Sequence, residues 1–288
     1  MKLKHKSVKN SCEFETYKNF GKFINLEGIK TFLVETGGGE SIIFVNGLAA
    51  SCYTWCRVIK ELKEKYHVFA MDFWGTGLSE KNNDKYDMEL YTEQIKHLIN
   101  YYKIDKVTLV GSSLGGGIAL RYVMKYPEHI KRLVLIDSVG YEKNKNIIGF
   151  LISLFKYRVV RSFIRLSVCK KTVKLMIKWA VENEAIINDD MIEAYYKPLS
   201  NKEGLKAFIS LIRSLAYSDL NYEGIKSLAL PALIIWGDRD KWLPKSDSYK
   251  LHKAIKASKL VIMKNCGHGP QEEYSVTVAR LIENFMHI

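Results

Sequence analysis

The stretch Lys106–Tyr126, KVTLVGSSLGGGIALRYVMKY, constrains this chain more than any other. Val107-Thr108-Leu109-Val110 is a short apolar, β-branched run of the kind that forms a buried strand. From Ile118 the apolar residues Ile118, Ala119, Leu120, Tyr122, Val123 and Tyr126 follow helical spacing. Between the two lies Gly111-Ser112-Ser113-Leu114-Gly115, a G-x-S-x-G pentapeptide. Glycines at its ends let strand and helix approach closely, and Ser113 is held at the apex with its hydroxyl exposed. Alone the pentapeptide is weak, since chance places one in about one chain in ten of this length. The strand before it and the helix after it supply the context. Ser113 therefore reads as a nucleophile, with a plain turn serine as the alternative. The helix begins at Ser113, which leaves the Leu114 N–H among the unpaired donors of a helix N-terminus, able to face a developing oxyanion.

A serine hydroxyl needs a base near neutral pH, and histidine titrates nearest that range. His268, in Asn265-Cys266-Gly267-His268-Gly269-Pro270, falls in a loop after an expected strand, at the sheet end that carries Ser113. The other six histidines lie in the N-terminal tail, at a strand start, in or beside helices, or at the C-terminus. A third group must orient the imidazole and stabilise its cation. Asp240 follows the strand Ala232–Trp236 and is the favoured acid. Asp238 beside it and Asp137, also at a strand end, are rivals.

The rest of the chain places these groups. Lys22–Leu26 and Ile29–Val34 flank Glu27-Gly28 as a hairpin, and Ser41–Val45 and His67–Met71 read as strands. Arg132–Ile136, Ala232–Trp236 and Lys259–Met263 are further strands. Helices are expected over Trp55–Tyr66, Met88–Tyr102, Lys245–Ile255 and Glu272–His287. Strands alternating with helices imply a mostly parallel sheet, with an antiparallel hairpin at one edge. Residues 141–228 carry helical periodicity and no convincing strand, against ordinary connections of about 2–6 residues. The expected organisation is a core of 1–140 and 229–288 interrupted by a helical cap of 141–228.

At 288 residues the chain can bury a core without disulfides or metals. Its five cysteines include no C-x-x-C pair and read as free thiols in a reducing compartment. The basic N-terminus has no apolar core behind it, and no apolar run approaches the ~18 residues of a membrane span. The expected location is cytoplasmic. A net charge of +13 raises nucleic acid or an anionic membrane as partners. No zinc-finger, RNA-recognition or helix-turn-helix pattern accompanies it, so no nucleic-acid partner is expected. Between Tyr141 and Ala180 ten Lys or Arg stand against one acid, Glu142. Arg158, Arg161 and Arg165 share a helical face, for which a solvated surface is the favoured reading over membrane contact.

With Asp72-Phe73-Trp74-Gly75-Thr76-Gly77-Leu78-Ser79, the Gly111–Gly115 elbow, Pro231–Asp240 and Gly267-His268-Gly269-Pro270 with Glu273, the chain resembles the α/β-hydrolases that carry a cap. The order Ser, Asp, His is the one this fold uses. The resemblance covers nearly everything from Phe23 onward. It implies an acid at Asp240 and an oxyanion hole made by the Leu48 and Leu114 N–H groups. Many relatives carry His-Gly where this chain has Asn46-Gly47, so Asn46 bears on substrate placement. Serine at 113 argues against the dehalogenase and epoxide-hydrolase branches, which use aspartate there.

The expected activity is hydrolysis of a carboxylic ester or thioester through an acyl-enzyme on Ser113, with no metal or organic cofactor required. A C–C bond hydrolase, or a lyase or cyclase, on the same triad is the alternative, and a ligand-binding pseudoenzyme lies further off. Asn46, Trp74, Phe150 and Trp179 are candidates to line a pocket for a small, apolar acyl substrate. The oligomeric state stays open.

Overall fold

The computed structural model describes residues 18–83, 85–140, 152–217 and 223–287. Eight strands form one sheet: β1 (Lys22–Leu26), β2 (Ile29–Thr36), β3 (Ser41–Val45), β4 (His67–Met71), β5 (Val107–Ser112), β6 (Ile130–Ile136), β7 (Ala232–Gly237) and β8 (Ser258–Met263). Their order across the sheet is β1-β2-β4-β3-β5-β6-β7-β8. The hairpin β1–β2 is antiparallel, β2 joins β4 antiparallel, and every later pairing is parallel.

The helices are α1 (Cys56–Leu62), α2 (Met88–Tyr101), α3 (Leu114–Lys125), α4 (Arg158–Ser167), α5 (Lys170–Ala180), α6 (Asp189–Leu199), α7 (Lys202–Tyr217), α8 (Ser246–Ala254), α9 (Pro270–Glu273) and α10 (Ser275–Met286). The single helix expected over Glu272–His287 is broken at Tyr274, whose φ of −134° and ψ of 46° leave the helical region.

Central strands are apolar because both of their faces are covered. Leu109, Leu133, Leu135 and Ile234 point into one cluster with Ile95 and Leu98 of α2 and Ile118 and Tyr122 of α3. Their neighbours Val110, Val134, Ile136, Leu233 and Ile235 point into the other, with Val58 and Leu62 of α1 and Ile282 and Phe285 of α10. A period of two along each strand thus feeds two helical layers. Full burial of each such side chain is worth about 1.5–3 kcal/mol.

Between β6 and β7, which pair with each other, the described residues are helical from α4 to α7. Val173, Ile177, Met191 and Ile192 of that interval pack into one cluster, and Ala207, Leu211 and Leu215 into the other. No helix among the described residues is long and apolar enough to cross a membrane. The expectation of five free thiols does not hold. Cys52, Cys169 and Cys266 are free, but Cys56 is disulfide-bonded. An odd count never barred one pair, so cysteine number carries no argument about compartment here.

Candidate active site

The site grows out of the turn between β5 and α3. A Cβ on Gly111 would lie 2.5 Å from the Gly115 carbonyl oxygen, and one on Gly115 would lie 2.2 Å from that of Val45. Only hydrogen fits at either position, so strand and helix close on each other. The residue between them is forced to φ 55°, ψ −121°. That residue is Ser113. A non-glycine residue there stores roughly 1–3 kcal/mol. The Ser113 N–H donates to the Ile136 carbonyl at 2.9 Å, and its own carbonyl accepts from Val139 at 3.1 Å, which pins the strained turn to the end of β6.

His268 arrives from the loop after β8, 155 residues away in sequence, with Nε2 at 2.9 Å from Ser113 Oγ. Its Nδ1 lies 2.8 Å from Asp240 Oδ2. The Asp240 side chain is fully buried, and that of His268 is 12% exposed. The Asp240 Oδ1 accepts from the Trp242 and Leu243 N–H groups at 2.7 and 3.0 Å, which fixes the carboxylate plane. A carboxylate at Nδ1 selects the tautomer whose Nε2 lone pair faces the serine.

The imidazole loop is braced from two sides. His268 N–H donates to the Ala180 carbonyl at the end of α5, at 2.7 Å. Glu273 accepts from the Gly267 N–H at 2.8 Å, and from the Glu182 and Asn183 N–H groups at 3.0 and 2.9 Å. One carboxylate therefore ties the histidine loop to the helical insertion. Trp242 stacks on the imidazole, with centroids 5.8 Å apart and planes 16° apart.

Asp137 occupies the same corner. One ligating atom each from Asp137, Asp240 and His268 lies within 4.8 Å of the others, a spacing that could also hold a cation. Asp137 Oδ1 accepts from the Gly237 N–H at 2.9 Å, and Oδ2 is buried without a hydrogen-bond partner. Burial, then the neighbouring Asp240 charge, pushes its carboxyl well above the usual range. The Asp240–His268 hydrogen bond and the Asp137–Gly237 hydrogen bond are the contacts that bring the three groups together. Asp238, the other rival, has Oδ1 3.4 Å from the Cys266 N–H and braces that turn.

The two expected oxyanion donors belong to the two turns that meet at Ser113. Leu114 opens α3, so its N–H has no partner within the helix. Leu48 follows Gly47, where a Cβ would sit 3.3 Å from Ser113 Cβ, so this turn packs directly on the serine.

The alpha/beta hydrolase fold family model matches residues 40–274, most of the chain. The chain belongs to that family. This alpha/beta hydrolase is 28% identical over 253 residues to the uncharacterized hydrolase YugF of Bacillus subtilis, covering 86% of this chain and 90% of that one. It is 26% identical over 278 residues to a 2-hydroxy-6-oxo-2,4-heptadienoate hydrolase of Pseudomonas putida, covering 92% and 96%. Among solved structures, a meta-cleavage product hydrolase of Pseudomonas fluorescens superposes with a TM-score of 0.80 at 24% identity, over 93% of this chain and 98% of that one. The last of these is a likeness of fold.

The pocket candidates of this hydrolase fare unequally. Asn46 is buried and donates from Nδ2 to the Met71 carbonyl at 2.8 Å, bolting the end of β3 to β4. Trp179 is 40% exposed, with its ring 5.4 Å from that of Trp242. Phe150 lies outside the described residues. Trp74 is the correction: it belongs to the core instead of the pocket. Its indole N–H donates to Thr31 Oγ1 at 2.7 Å, its ring stacks on His97, and it is 4% exposed. The loop turns it inward because Asp72 accepts from the Leu78 N–H at 2.7 Å and from the Cys52 N–H at 2.8 Å.

Sequence reasoning missed Trp242, although an aromatic residue two positions after the favoured acid was a usable signal. A cleft lined by Glu40, His67, Asp105 and Lys131 opens at the amino ends of the parallel strands, away from Ser113. Ligands of open α/β sheets bind at the opposite, carboxyl ends.

Proposed function

We propose that this alpha/beta hydrolase is a serine hydrolase working through a covalent intermediate on Ser113. The hydrogen-bonded line Ser113–His268–Asp240, with gaps of 2.9 and 2.8 Å, carries the reading. Ser113 Oγ adds to a substrate carbonyl carbon as His268 Nε2 takes its proton. The tetrahedral oxyanion is held by the Leu48 and Leu114 N–H groups, and preorganised donors of this kind are each worth about 3–4 kcal/mol. His268 then gives the proton to the leaving group. Water, deprotonated by the same nitrogen, releases the acid and restores Ser113.

A carboxylic ester or thioester with an apolar acyl group is the first substrate reading. Trp242 and Trp179 offer an apolar wall beside the imidazole, which supports it. Carbon–carbon bond hydrolysis is the second, and the named Pseudomonas relatives favour it. A 2-hydroxy-6-oxo-2,4-dienoate has no ester or amide bond, so its hydrolysis splits a carbon–carbon bond.

Fluorophosphonate labelling of Ser113 tests the nucleophile. Turnover of an acyl-chain ester series against a 6-oxo-dienoate then separates the two substrates. Absence of labelling together with absence of turnover on both would sink the serine-hydrolase reading.

A further inference from the structure

We propose that the surface presented by α4 and α5 docks on an anionic lipid bilayer. Helix α5 carries two apolar stripes where a globular surface helix needs one. Val173 and Ile177 form the buried stripe. Leu175, Met176 and Trp179 form another that faces solvent, with Leu175 67% exposed. On α4, Val159 and Phe163 stand one turn apart and are 80% and 70% exposed. Among the described residues, eleven large apolar side chains are exposed, and six of them fall between Tyr157 and Trp179. Apolar exposure concentrated in so short a stretch marks an interaction surface.

Charge decides what that surface meets. Residues 156–180 hold eight Lys or Arg and no Asp or Glu. On α5 the lysines Lys170, Lys171, Lys174 and Lys178 flank the exposed apolar stripe, at helical positions beside Leu175 and Trp179. Lys170 pairs with Glu193 and Lys178 with Glu184, which leaves Lys171 and Lys174 as the main carriers of the net positive charge. A second copy of this chain would bring the same positive charge against it. Nucleic acid would pair with the lysines but gains nothing from aliphatic Val159, Leu175 and Met176, which cannot stack on bases. An anionic bilayer takes both: headgroups meet the lysines, and the acyl boundary receives the apolar side chains.

The surface also runs into the site. Trp179 lies against Trp242, and Trp242 stacks on His268, so the docked face and the imidazole share one aromatic wall. Part of the basic face has a structural use, since Arg161 Nη1 donates to the Phe155 and Lys156 carbonyls at 2.7 Å each. Lys171 and Lys174 are therefore the better probes of electrostatics.

Docking stands apart from the hydrolytic reading, so the test uses the Ser113→Ala protein. It is sedimented with vesicles of phosphatidylcholine, and with vesicles that also contain phosphatidylglycerol. The bound fraction should rise about tenfold or more with the anionic vesicles, and fall away as salt goes from about 0.1 M to about 1 M. Lys171→Gln with Lys174→Gln should weaken binding by roughly fivefold per charge removed. Phe163→Ser with Leu175→Ser should weaken it comparably while leaving the circular dichroism spectrum unchanged. Equal pelleting with both vesicle types, no pelleting, or indifference to both double variants overturns the proposal. So does a concentration-dependent dimer in sedimentation velocity that Phe163→Ser with Leu175→Ser abolishes, which would assign the face to a second copy.

Discussion

Asp137 and Asp240 share one corner beneath His268, and it is Asp240 whose carboxylate lies 2.8 Å from the imidazole Nδ1. Two adjacent buried carboxylates cannot both ionise cheaply. Asp240 is braced by two backbone N–H donors, whereas Asp137 has one and an unpartnered Oδ2. Donors stabilise a carboxylate, which suits Asp240 to hold the imidazole, while burial and the neighbouring Asp240 push the Asp137 carboxyl up.

Asp240→Asn should lower kcat by about 10³–10⁴, because the amide favours the wrong histidine tautomer. Asp137→Asn keeps the shape and an acceptor oxygen for the Gly237 N–H and should cost less than about tenfold, far below the loss at Asp240. Steady-state kinetics on the best ester substrate compares the two variants. A larger loss at Asp137 would move the acid to the end of β6.

Ser113→Ala should abolish fluorophosphonate labelling and reduce kcat by roughly 10³-fold or more while the fold persists. Ser113→Gly removes the same hydroxyl and also relieves the left-handed strain at φ 55°. It should be more stable than Ser113→Ala by about 1 kcal/mol in urea denaturation. Equal stability of the two variants would mean that the turn is not strained.

Glu273→Ala strips the acceptor from three backbone N–H groups that join the His268 loop to residues 182 and 183. Each orphaned donor costs about 1–3 kcal/mol if it stays buried. A fall in kcat of about 10–10² is expected from the loosened imidazole. Glu273→Gln keeps one acceptor oxygen and should recover part of it. The readout is the ratio of kcat between the two variants at matched KM.

Glu272 gives a pH signature. Burial pushes its carboxyl from the usual 4.5 up to about 7, against opposing help from Tyr195 and Arg57. The folded state thus holds the proton more tightly than the unfolded chain. Its contribution to stability is fully present below about pH 4.5 and is lost as pH rises through about 7. A difference of that size is worth on the order of 3 kcal/mol. Glu272→Gln keeps an acceptor for the Tyr195 hydroxyl, which lies 2.9 Å from Oε2, and removes the titration. The variant should melt several degrees above the natural protein at pH 8 and close to it near pH 4.5. Parallel melting curves across that range would show that Glu272 does not titrate there.

What the sequence determines by itself is local. The apolar run Val107–Val110, the paired glycines at 111 and 115 and the helical spacing after Ile118 are enough to place Ser113 on a tight strand-to-helix turn. The same periodicities show strands alternating with helices, and put His268 and the three aspartates in loops after strands. None of this needs a contact across the chain. The choice among Asp137, Asp238 and Asp240 does, because β6 and β7 are neighbours and bring the Asp137 and Asp240 carboxyls into one corner, while Asp238 turns to the Cys266 N–H. Only the packed loops decide which oxygen reaches Nδ1. Trp74 turns on the same point: it is a pocket candidate by sequence, but a hydroxyl 43 residues away captures the indole and buries it. On α5, helical spacing yields two apolar stripes of equal standing, and the fold alone buries Val173 and Ile177 while leaving Leu175 and Trp179 in solvent. Periodicity is set by backbone geometry within a few residues. Burial, and the partner that meets each polar atom, is set by segments as distant as the 155 residues between Ser113 and His268.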